Sequence, residues 1–462
     1  MALPVVISGK SAAGDAFVFR LYVQKDPISG LEYLADQARP DEEGKFMLGF
    51  ESKEIQKVTI MVGLQSMSLY VQPGKTYNLI FNEINLEDQS VFLPEKPLRV
   101  VFENEDMLNL VIDGFEYTYQ HFLQNQFLEL IKYRDKRIYH LFEESVYIKL
   151  KETPIEDSVQ RTFLSNYIAY RLAGIRLSAR LEEKNSLGIS MIDQKSIQFN
   201  NPAYAQFFIN YFDKYLLEFN GGELYSANLK SLSLGKGPDD ILDKMGLDPV
   251  LVREQIRELV YIYSLKQIYF RRRISKKSIN NILISLSKKS KFELNREVAA
   301  NVYENLITFQ SGYPVPEITL KNQDGKQKTI NDYRGKYIYL MFVSPNCETC
   351  ETDIRLLKTL EDEYSEKMQV VIIYAGFDAV EADKWMKKQD ASWDLLWFND
   401  DFSLLNDYKV KNFPKYLLLD KKGDLLHYFP SKPREDFIGM IKALDERDKE
   451  VKKEASDFFR RN

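Results

Sequence analysis

Hydrophobic residues change their spacing along the chain, and the changes divide it into three parts. Up to about residue 103, short runs rich in β-branched and aromatic residues alternate with turn residues, a pattern typical of strands. These runs lie at residues 5–7, 17–23, 58–62 and 76–81. The Pro73-Gly74 turn is flanked by Leu69-Tyr70-Val71 and Tyr77-Asn78-Leu79, which predicts a hairpin. We therefore predict an antiparallel β-sandwich or barrel for residues 1–103.

Between residues 104 and 310 the spacing becomes helical. Leu108, Ile112, Phe115 and Tyr119 recur at intervals of three or four, which places them on one face of a helix. Asn201-Pro202 precedes a second such stripe and has the character of a helix start. An all-α region is predicted for residues 104–310.

Strands and helices alternate from residue 311 to about 450. A buried run at 337–343 leads to a helix predicted from about 348 to 365. Further strands are predicted at 370–374, 416–420 and 425–429, and further helices at about 382–388 and 434–447. This alternation is typical of an α/β sheet. With a charged tail at 451–462, the whole chain is predicted to be a multidomain α+β protein.

Composition and charge narrow the classes of function. The chain has 462 residues, of which 44% are hydrophobic and 28% charged, as in ordinary globular proteins. Its net charge of −5 gives no general attraction to nucleic acid, so no nucleic-acid partner is predicted. No apolar run is long enough for a transmembrane helix, and the first residues lack the features of a signal peptide. A cytoplasmic protein and a mature chain that has lost its signal both fit this start.

The chain contains two cysteines, Cys347 and Cys350, three positions apart. Two cysteines cannot build a structural disulfide framework. One Cys-x-x-Cys pair supplies two of the ligands that zinc needs, and the chain has three histidines, so no metal site is predicted.

The position of the pair between a buried strand and a helix suggests redox chemistry. The start of a helix offers unpaired N–H groups and a partial positive charge, which stabilise a thiolate. Cys347 is therefore the predicted nucleophile in disulfide exchange. Cys350 follows one turn later and is close enough to close a disulfide with it. The alternative is a coincidental pair of buried cysteines.

Four further motifs stand in a fixed order around this pair. They are Pro316-Glu317-Ile318-Thr319-Leu320 with Asp324-Gly325-Lys326, then Tyr333-Arg334-Gly335-Lys336, then Asn412-Phe413-Pro414-Lys415-Tyr416, and last Asp420-Lys421-Lys422-Gly423. Together they resemble the thioredoxin superfamily, and within it the TlpA/ResA-type proteins of the bacterial cell envelope. The upstream β and helical regions are similar to the amino-terminal half of long TlpA-like proteins.

The resemblance implies roles by position. Cys347 would attack and Cys350 would resolve, as the chemistry also suggests. Pro414 would face the disulfide, and a cis bond before it would present the Phe413 backbone to a substrate chain. An ordinary proline before a strand is the alternative. Asp353 stands where ResA-like members place a buried acid that exchanges protons with the thiols, although a first-turn acid favoured by the helix dipole, or a plain solvated residue, is equally compatible with the sequence.

Three residues near the pair are predicted to contact substrate: Phe413, Asn346 and Glu348. Glu348 resembles an acid that some ResA-like motifs carry between the cysteines, where its charge disfavours the thiolate and favours reduction of substrates. Asn346 occupies the place of the usual Trp, and Met341 that of the buried Asp of thioredoxin. Because of these departures, the resemblance leaves the substrate range and the redox potential open.

The resulting hypothesis is a thiol–disulfide oxidoreductase that reduces protein disulfides in the envelope of a Gram-negative bacterium. It needs no cofactor, but it needs a partner that recycles the pair, and attachment through a lipid anchor is compatible with the resemblance. The competing hypothesis is a binding or assembly protein whose β and helical regions form the functional surface, with a weakly active module. A peroxidase is disfavoured because no Pro-x-x-x-Thr-x-x-Cys motif ends at Cys347.

Overall fold

The chain folds into two compact units. The structure, a computed structural model, describes residues 2–11, 17–63, 65–83, 96–104, 106–133, 136–271, 274–308, 310–345, 347–376, 379–389, 392–398, 401–410, 412–428 and 430–461. The first unit takes in Met1–Val62, Ser66–Ile84 and Pro97–Leu306. The second takes in Gly63–Gln65, Asn85–Lys96 and Ile307–Asn462. The finer division of the first unit at residue 103 stays a prediction.

The amino-terminal part of the first unit is built from strands in two sheets. The strands are β1 (Leu3–Ser11), β2 (Phe19–Gln24), β3 (Glu32–Ala38), β4 (Lys45–Ser52), β5 (Gln56–Val62), β6 (Gln65–Val71), β7 (Thr76–Glu83), β8 (Lys96–Pro97) and β9 (Arg99–Phe102). One sheet has the order β4-β1-β7-β9 and the other the order β3-β2-β5-β6-β8. Most described pairs are antiparallel, but β1 and β7 run parallel, so the antiparallel prediction is wrong for that pair.

Both sheets contribute side chains to one core. Residues alternate between buried and partly exposed along the strands, as a sheet with one covered face requires. Phe19 of β2 stacks on Phe46 of β4 with ring centroids 3.8 Å apart, and meets Phe81 of β7 edge-on at 4.9 Å. The prediction of β structure is therefore confirmed, while its closure as a sandwich or barrel stays a prediction.

The hairpin predicted at Pro73-Gly74 is wrong, because β6 and β7 belong to different sheets. Gly74 adopts a φ of +79°, and its N–H donates to the carbonyl of Pro4 at 2.9 Å. The N–H of Val6 then donates to the carbonyl of Lys75 at 3.1 Å. The turn therefore leads into β7, which pairs with β1 and not with β6.

The rest of the first unit is helical, as predicted. The helices are α1 (Met107–Tyr133), α2 (Lys136–Glu152), α3 (Ser158–Ser178), α4 (Lys184–Gly188), α5 (Pro202–Tyr211), α6 (Tyr215–Glu218), α7 (Glu223–Ser233), α8 (Asp239–Met245), α9 (Glu254–Ile268), α10 (Lys276–Lys289) and α11 (Glu293–Ile307), with a π-helical turn at Ile189–Asp193 and a 3-10 turn at Phe219–Gly222. Asn201 caps α5 by accepting the N–H of Ala203 at 3.1 Å, which confirms the predicted helix start. Among the described helices, none is both long and apolar enough to cross a bilayer.

The second unit is an α/β fold around one mixed sheet. Its strands are β10 (Leu320–Asn322), β11 (Gln327–Lys328), β12 (Tyr337–Val343), β13 (Met368–Tyr374), β14 (Asp394–Trp397), β15 (Lys415–Leu419) and β16 (Leu425–His427). Its helices are α12 (Glu348–Thr359), α13 (Glu361–Tyr364), α14 (Ala379–Lys388), α15 (Phe402–Asp407) and α16 (Phe437–Arg461), with a 3-10 turn at Ile330–Tyr333. The sheet order is β11-β10-β14-β13-β12-β15-β16.

Strand β12 lies inside this sheet, and every one of its residues is buried. It pairs in parallel with β13 and antiparallel with β15. The predicted alternation of strands and helices is confirmed, with the long helix after the cysteines divided into α12 and α13. Helix α16 continues to Arg461, through the segment predicted to be a charged tail.

A buried amide links a strand and a helix within the first unit. Asn109 of α1 accepts the N–H of Tyr70 in β6 and donates to the carbonyl of the same residue, both at 2.8 Å. The Asn109 side chain thus pairs with the Tyr70 backbone as a neighbouring strand would. Removing this side chain leaves two buried backbone groups without partners.

We expect Asn109→Ala to lower the free energy of unfolding of the first unit by about 2 kcal/mol. Urea unfolding followed by far-UV circular dichroism at the helical bands measures the change. The matched control is Asn125→Ala on the same helix, where an exposed amide donates to the carbonyl of His121. Equal effects of the two substitutions would contradict the structural role given to Asn109.

Candidate active site

The two cysteines lie where β12 ends and α12 begins, as the sequence predicts. Cys347 is the N-cap of α12, with an extended backbone at φ −93° and ψ 92°. Its Sγ accepts the backbone N–H of Cys350 at 3.2 Å. A sulfur thus fills the position that a Ser or Asp oxygen commonly takes at a helix start. The same N–H and the helix dipole are available to stabilise a thiolate when the pair is reduced.

In this structure the pair is oxidised and covered. Cys347 and Cys350 form a disulfide with an S–S distance of 2.10 Å and Cα atoms 5.2 Å apart. Cys347 exposes 2% of its surface and Cys350 exposes 1%. Both belong to the hydrophobic core of the second unit. The spacing of apolar residues contains no signal for this degree of burial.

Asp353 is buried in the second turn of α12, with 0% of its surface exposed. Two donors from distant parts of the chain meet its Oδ2 atom. The Tyr416 hydroxyl of β15 donates a hydrogen bond to it, and Nη1 of Arg434 lies at 3.2 Å. Burial raises the pKa of the Asp353 carboxyl, while the Tyr416 hydrogen bond and the Arg434 charge act in the opposite direction. Of the two interpretations left open by the sequence, the solvated acid is wrong.

The peptide bond between Phe413 and Pro414 is cis, as the resemblance implies. Lys415 pairs with Phe342 across β15 and β12, which places Pro414 beside Val343 at the end of β12 that leads to the cysteines. The Phe413 side chain is buried in the core of the unit. A contact between Phe413 and substrate would therefore involve its backbone.

Lys415 is a buried cation directly after Pro414, and no sequence pattern singles it out. It exposes 8% of its surface, and its Nζ lies 3.4 Å from the centroid of the Tyr428 ring. Burial lowers the pKa of Lys415 to about 8. The side chain lies on the face of the sheet that carries Phe342, whereas Tyr416 lies on the opposite face with Met341.

Two carboxylates stand in the first turn of α12. Glu348 is exposed, and Glu351 accepts the indole N–H of Trp385 at 2.8 Å. The Trp385 ring stacks on Tyr374 at the end of β13, with centroids 4.4 Å apart. The link between Glu351 and Trp385 spans 34 positions and has no sequence signature. Asn346, the remaining predicted contact, lies outside the described residues.

Known proteins resemble the second unit. Residues 311–428 match the AhpC/TSA family. The thioredoxin-like protein YneN of Bacillus subtilis (strain 168) is 28% identical over 120 residues, covering 25% of this chain and 69% of that protein. The thiol-disulfide oxidoreductase ResA of Geobacillus thermodenitrificans (strain NG80-2) is 24% identical over 131 residues, covering 28% and 75%. Peroxiredoxin Bcp of Bacillus subtilis (strain 168) is 30% identical over 136 residues, covering 26% and 84%.

These similarities agree with the geometry of the site. The matched segment contains the Cys-x-x-Cys pair at the start of α12, the cis-proline before β15 and the sheet that holds both. The chain therefore belongs to the AhpC/TSA family through residues 311–428, which form a thioredoxin-like domain of the thiol–disulfide oxidoreductase type.

Proposed function

We propose that the second unit reduces disulfide bonds in protein substrates, with Cys347 as nucleophile and Cys350 as resolving thiol. The observation that carries the proposal is the hydrogen bond from the Cys350 N–H to Sγ of Cys347 at the N-terminus of α12. It supports Cys347 as the sulfur that is ionised more readily in the reduced protein.

The first step joins enzyme and substrate. The Cys347 thiolate attacks one sulfur of the substrate disulfide, forming a mixed disulfide and breaking the substrate S–S bond. The second substrate sulfur leaves as a thiolate and takes a proton from solvent. Charge and sulfur count are conserved in this exchange.

The second step releases the substrate. The Cys350 thiol gives its proton to the Asp353 carboxylate, and the resulting thiolate attacks Sγ of Cys347. The Cys347–Cys350 disulfide forms, the mixed disulfide breaks, and the remaining substrate sulfur leaves as a thiolate that is then protonated. Two electrons pass from the cysteine pair to the substrate, so a separate thiol partner must reduce the pair again.

Substrate binding is proposed at the end of the sheet that carries the cysteines. The cis bond before Pro414 leaves the Phe413 backbone as a candidate for strand-like pairing with a substrate chain. Asn346 and Glu348, which flank Cys347, are proposed to contact the same chain. We also propose, from the resemblance alone, a place in the Gram-negative cell envelope, with attachment through a lipid anchor.

The cysteines should separate the two chemical steps. We expect Cys347→Ser to abolish the reduction of insulin disulfides, because no nucleophile remains at the helix start. Cys350→Ser should instead accumulate a mixed disulfide that non-reducing electrophoresis resolves and dithiothreitol releases. Insulin reduction by Cys347→Ser at the wild-type rate would rule out the proposed mechanism.

Substitution of Asp353 should affect the second step of the reaction and leave the first step unchanged. We expect Asp353→Asn to slow the release of a preformed mixed disulfide by about a hundredfold, because the Cys350 proton loses its acceptor. The burst of leaving-group thiolate from the first step should keep its rate. Asp362→Asn, which alters an exposed acid on α13, serves as the matched control.

The raised pKa of Asp353 also predicts a pH-dependent stability difference. Below about pH 4 both folded and unfolded chains carry the proton, so Asp353→Asn should be nearly neutral. As the pH rises, the unfolded carboxyl ionises first and the wild type loses stability relative to the variant. The gain of Asp353→Asn should therefore grow between about pH 4 and the folded pKa, then stay constant.

Denaturant titrations at several pH values measure this difference. Trp fluorescence is the suitable signal, because all three tryptophans of the chain lie in the second unit. A stability difference that does not change with pH would mean that folding does not raise the pKa of Asp353.

The burial of both cysteines favours one alternative, a binding or assembly protein with a weakly active module. Cys347 exposes 2% of its surface, and a sulfur that substrates cannot reach would react slowly. Reaction of the reduced protein with a small aromatic disulfide distinguishes the hypotheses. A rate no faster than that of a free thiol would support the binding protein, whereas a faster one supports the oxidoreductase.

The similarity to a peroxiredoxin carries no second proposal. A Pro-x-x-x-Thr-x-x-Cys motif ending at Cys347 would require Pro and Thr at the positions that Leu340 and Ser344 occupy. We therefore do not assign peroxide reduction to this site.

A further inference from the structure

Three segments of the second unit converge on the Asp353 carboxyl. Helix α12 supplies Asp353, β15 supplies Tyr416, and the segment before α16 supplies Arg434. This last segment is anchored to the sheet, because the Tyr339 hydroxyl of β12 donates to the carbonyl of Ser431 at 2.9 Å. The positions of both donors are therefore set by the sheet.

The two donors meet the same oxygen. The Tyr416 hydroxyl and Nη1 of Arg434 both bind Oδ2 of Asp353. Oδ1 is also buried, and no described residue offers it a hydrogen bond. A buried carboxylate oxygen without a donor costs free energy, and a proton on that oxygen removes most of the cost. The two oxygens of this carboxyl are thus chemically distinct.

We infer that Tyr416 and Arg434 are positioning residues for the proposed reaction: they hold Oδ2 of Asp353 and leave Oδ1 as the atom that takes the proton of Cys350. The inference rests on the proposed function, because it specifies how the acid of the second step is held. Tyr416 and Arg434 do not touch the exchanging sulfurs in this role.

The proton balance follows from this arrangement. The proposed second step starts with Asp353 ionised and with Oδ2 accepting both hydrogen bonds. When Cys350 gives up its proton, Oδ1 becomes O–H while Oδ2 keeps Tyr416 and Arg434 as donors. After the disulfide has closed, the proton passes from Oδ1 to the departing substrate thiolate or to solvent, and the carboxylate is restored.

The surroundings of Asp353 predict the direction of each change. Tyr416 and Arg434 favour the ionised carboxyl, Lys432 does so more weakly, and Glu435 opposes it. Tyr339 is the further titratable side chain on the sheet that senses the Asp353 charge. Substituting Tyr416 or Arg434 should therefore raise the titration midpoint of Asp353, whereas substituting Glu435 should lower it.

The experiment measures the Asp353 carboxyl directly in the full chain. Its infrared C=O band is the one that Asp353→Asn removes, and its pH dependence gives the titration midpoint without any turnover. We expect Arg434→Gln to raise this midpoint by about one pH unit, because a cation at hydrogen-bond distance lowers a carboxyl pKa by about that amount or more. Tyr416→Phe should raise it in the same direction, and Arg434→Lys should restore part of the shift.

Two further variants complete the experiment: one should shift the midpoint in the opposite direction, and the other serves as a control without a shift. Glu435→Gln should lower the midpoint, since it removes a nearby negative charge. Lys367→Gln should leave it unchanged, because that cation pairs with Asp445 at 2.6 Å and does not reach Asp353. Arg434 is a suitable first target because 38% of its side chain is exposed, so its removal leaves the core intact.

The same order should appear in the kinetics. The rate of mixed-disulfide release falls on the acid side of its pH profile. In Arg434→Gln and Tyr416→Phe this fall should occur at a higher pH, by the same shift as the infrared midpoint. A midpoint that neither substitution moves would overturn the inference. If instead the midpoint moves as expected but wild-type protein reduces no disulfide, the positioning of Asp353 stands and the proposed function fails.

Discussion

A helix leaves its first backbone N–H groups without carbonyl partners, and in this protein the sulfur of Cys347 takes one of them. The arrangement requires that β12, which is buried throughout, end at Val343, so that the chain leaves the sheet at a fixed point and enters α12 within a few residues. The neighbours of β12 fix that point, because β13 and β15 pair with it along its length. Moving the helix start by one residue would place another side chain at the N-cap and turn Cys350 away from Cys347. The chemistry thus depends on strand pairing in the middle of the sheet.

A carboxyl in a core is normally destabilising, and here the neighbours reduce that cost without removing it. Tyr416 and Arg434 satisfy Oδ2, whereas burial keeps the pKa of Asp353 raised. A carboxyl in this condition keeps its proton to a higher pH than an exposed aspartate does. The strand position that the resemblance assigns to the buried acid of thioredoxin is occupied here by Met341, which is fully buried. Among the described buried residues of the second unit, Asp353 is the one carboxylate.

The sequence was sufficient for the parts of the site that depend on local order. A buried run, a Cys-x-x-Cys pair, a proline before a strand and a Gly turn after it are each readable within a few residues, and their order indicated the fold. The partners of Asp353 were not predictable, because Tyr416 and Arg434 lie 63 and 81 positions away and are brought in by tertiary packing. The error at Pro73-Gly74 has a related cause. A turn between two apolar runs indicates two strands, but which sheet captures the second run depends on β1, which is distant in sequence. No hydrophobic periodicity or motif in the sequence predicts that Lys415 is buried.

The charges around the pair support a reducing role. A disulfide couple becomes more oxidising when the reduced form is stabilised, chiefly through its thiolate. The N-terminus of α12 stabilises the Cys347 thiolate, but Glu348 and Glu351 place two negative charges in the same turn. Glu348 is exposed, so solvent and salt screen most of its effect. Glu351 is held by the Trp385 indole, which fixes its carboxylate within the first turn and restricts its solvation. Its charge disfavours a thiolate in that turn, which is the direction expected for a couple that favours its closed disulfide. A couple that favours its own disulfide passes electrons to its substrate, which is the direction proposed for this protein.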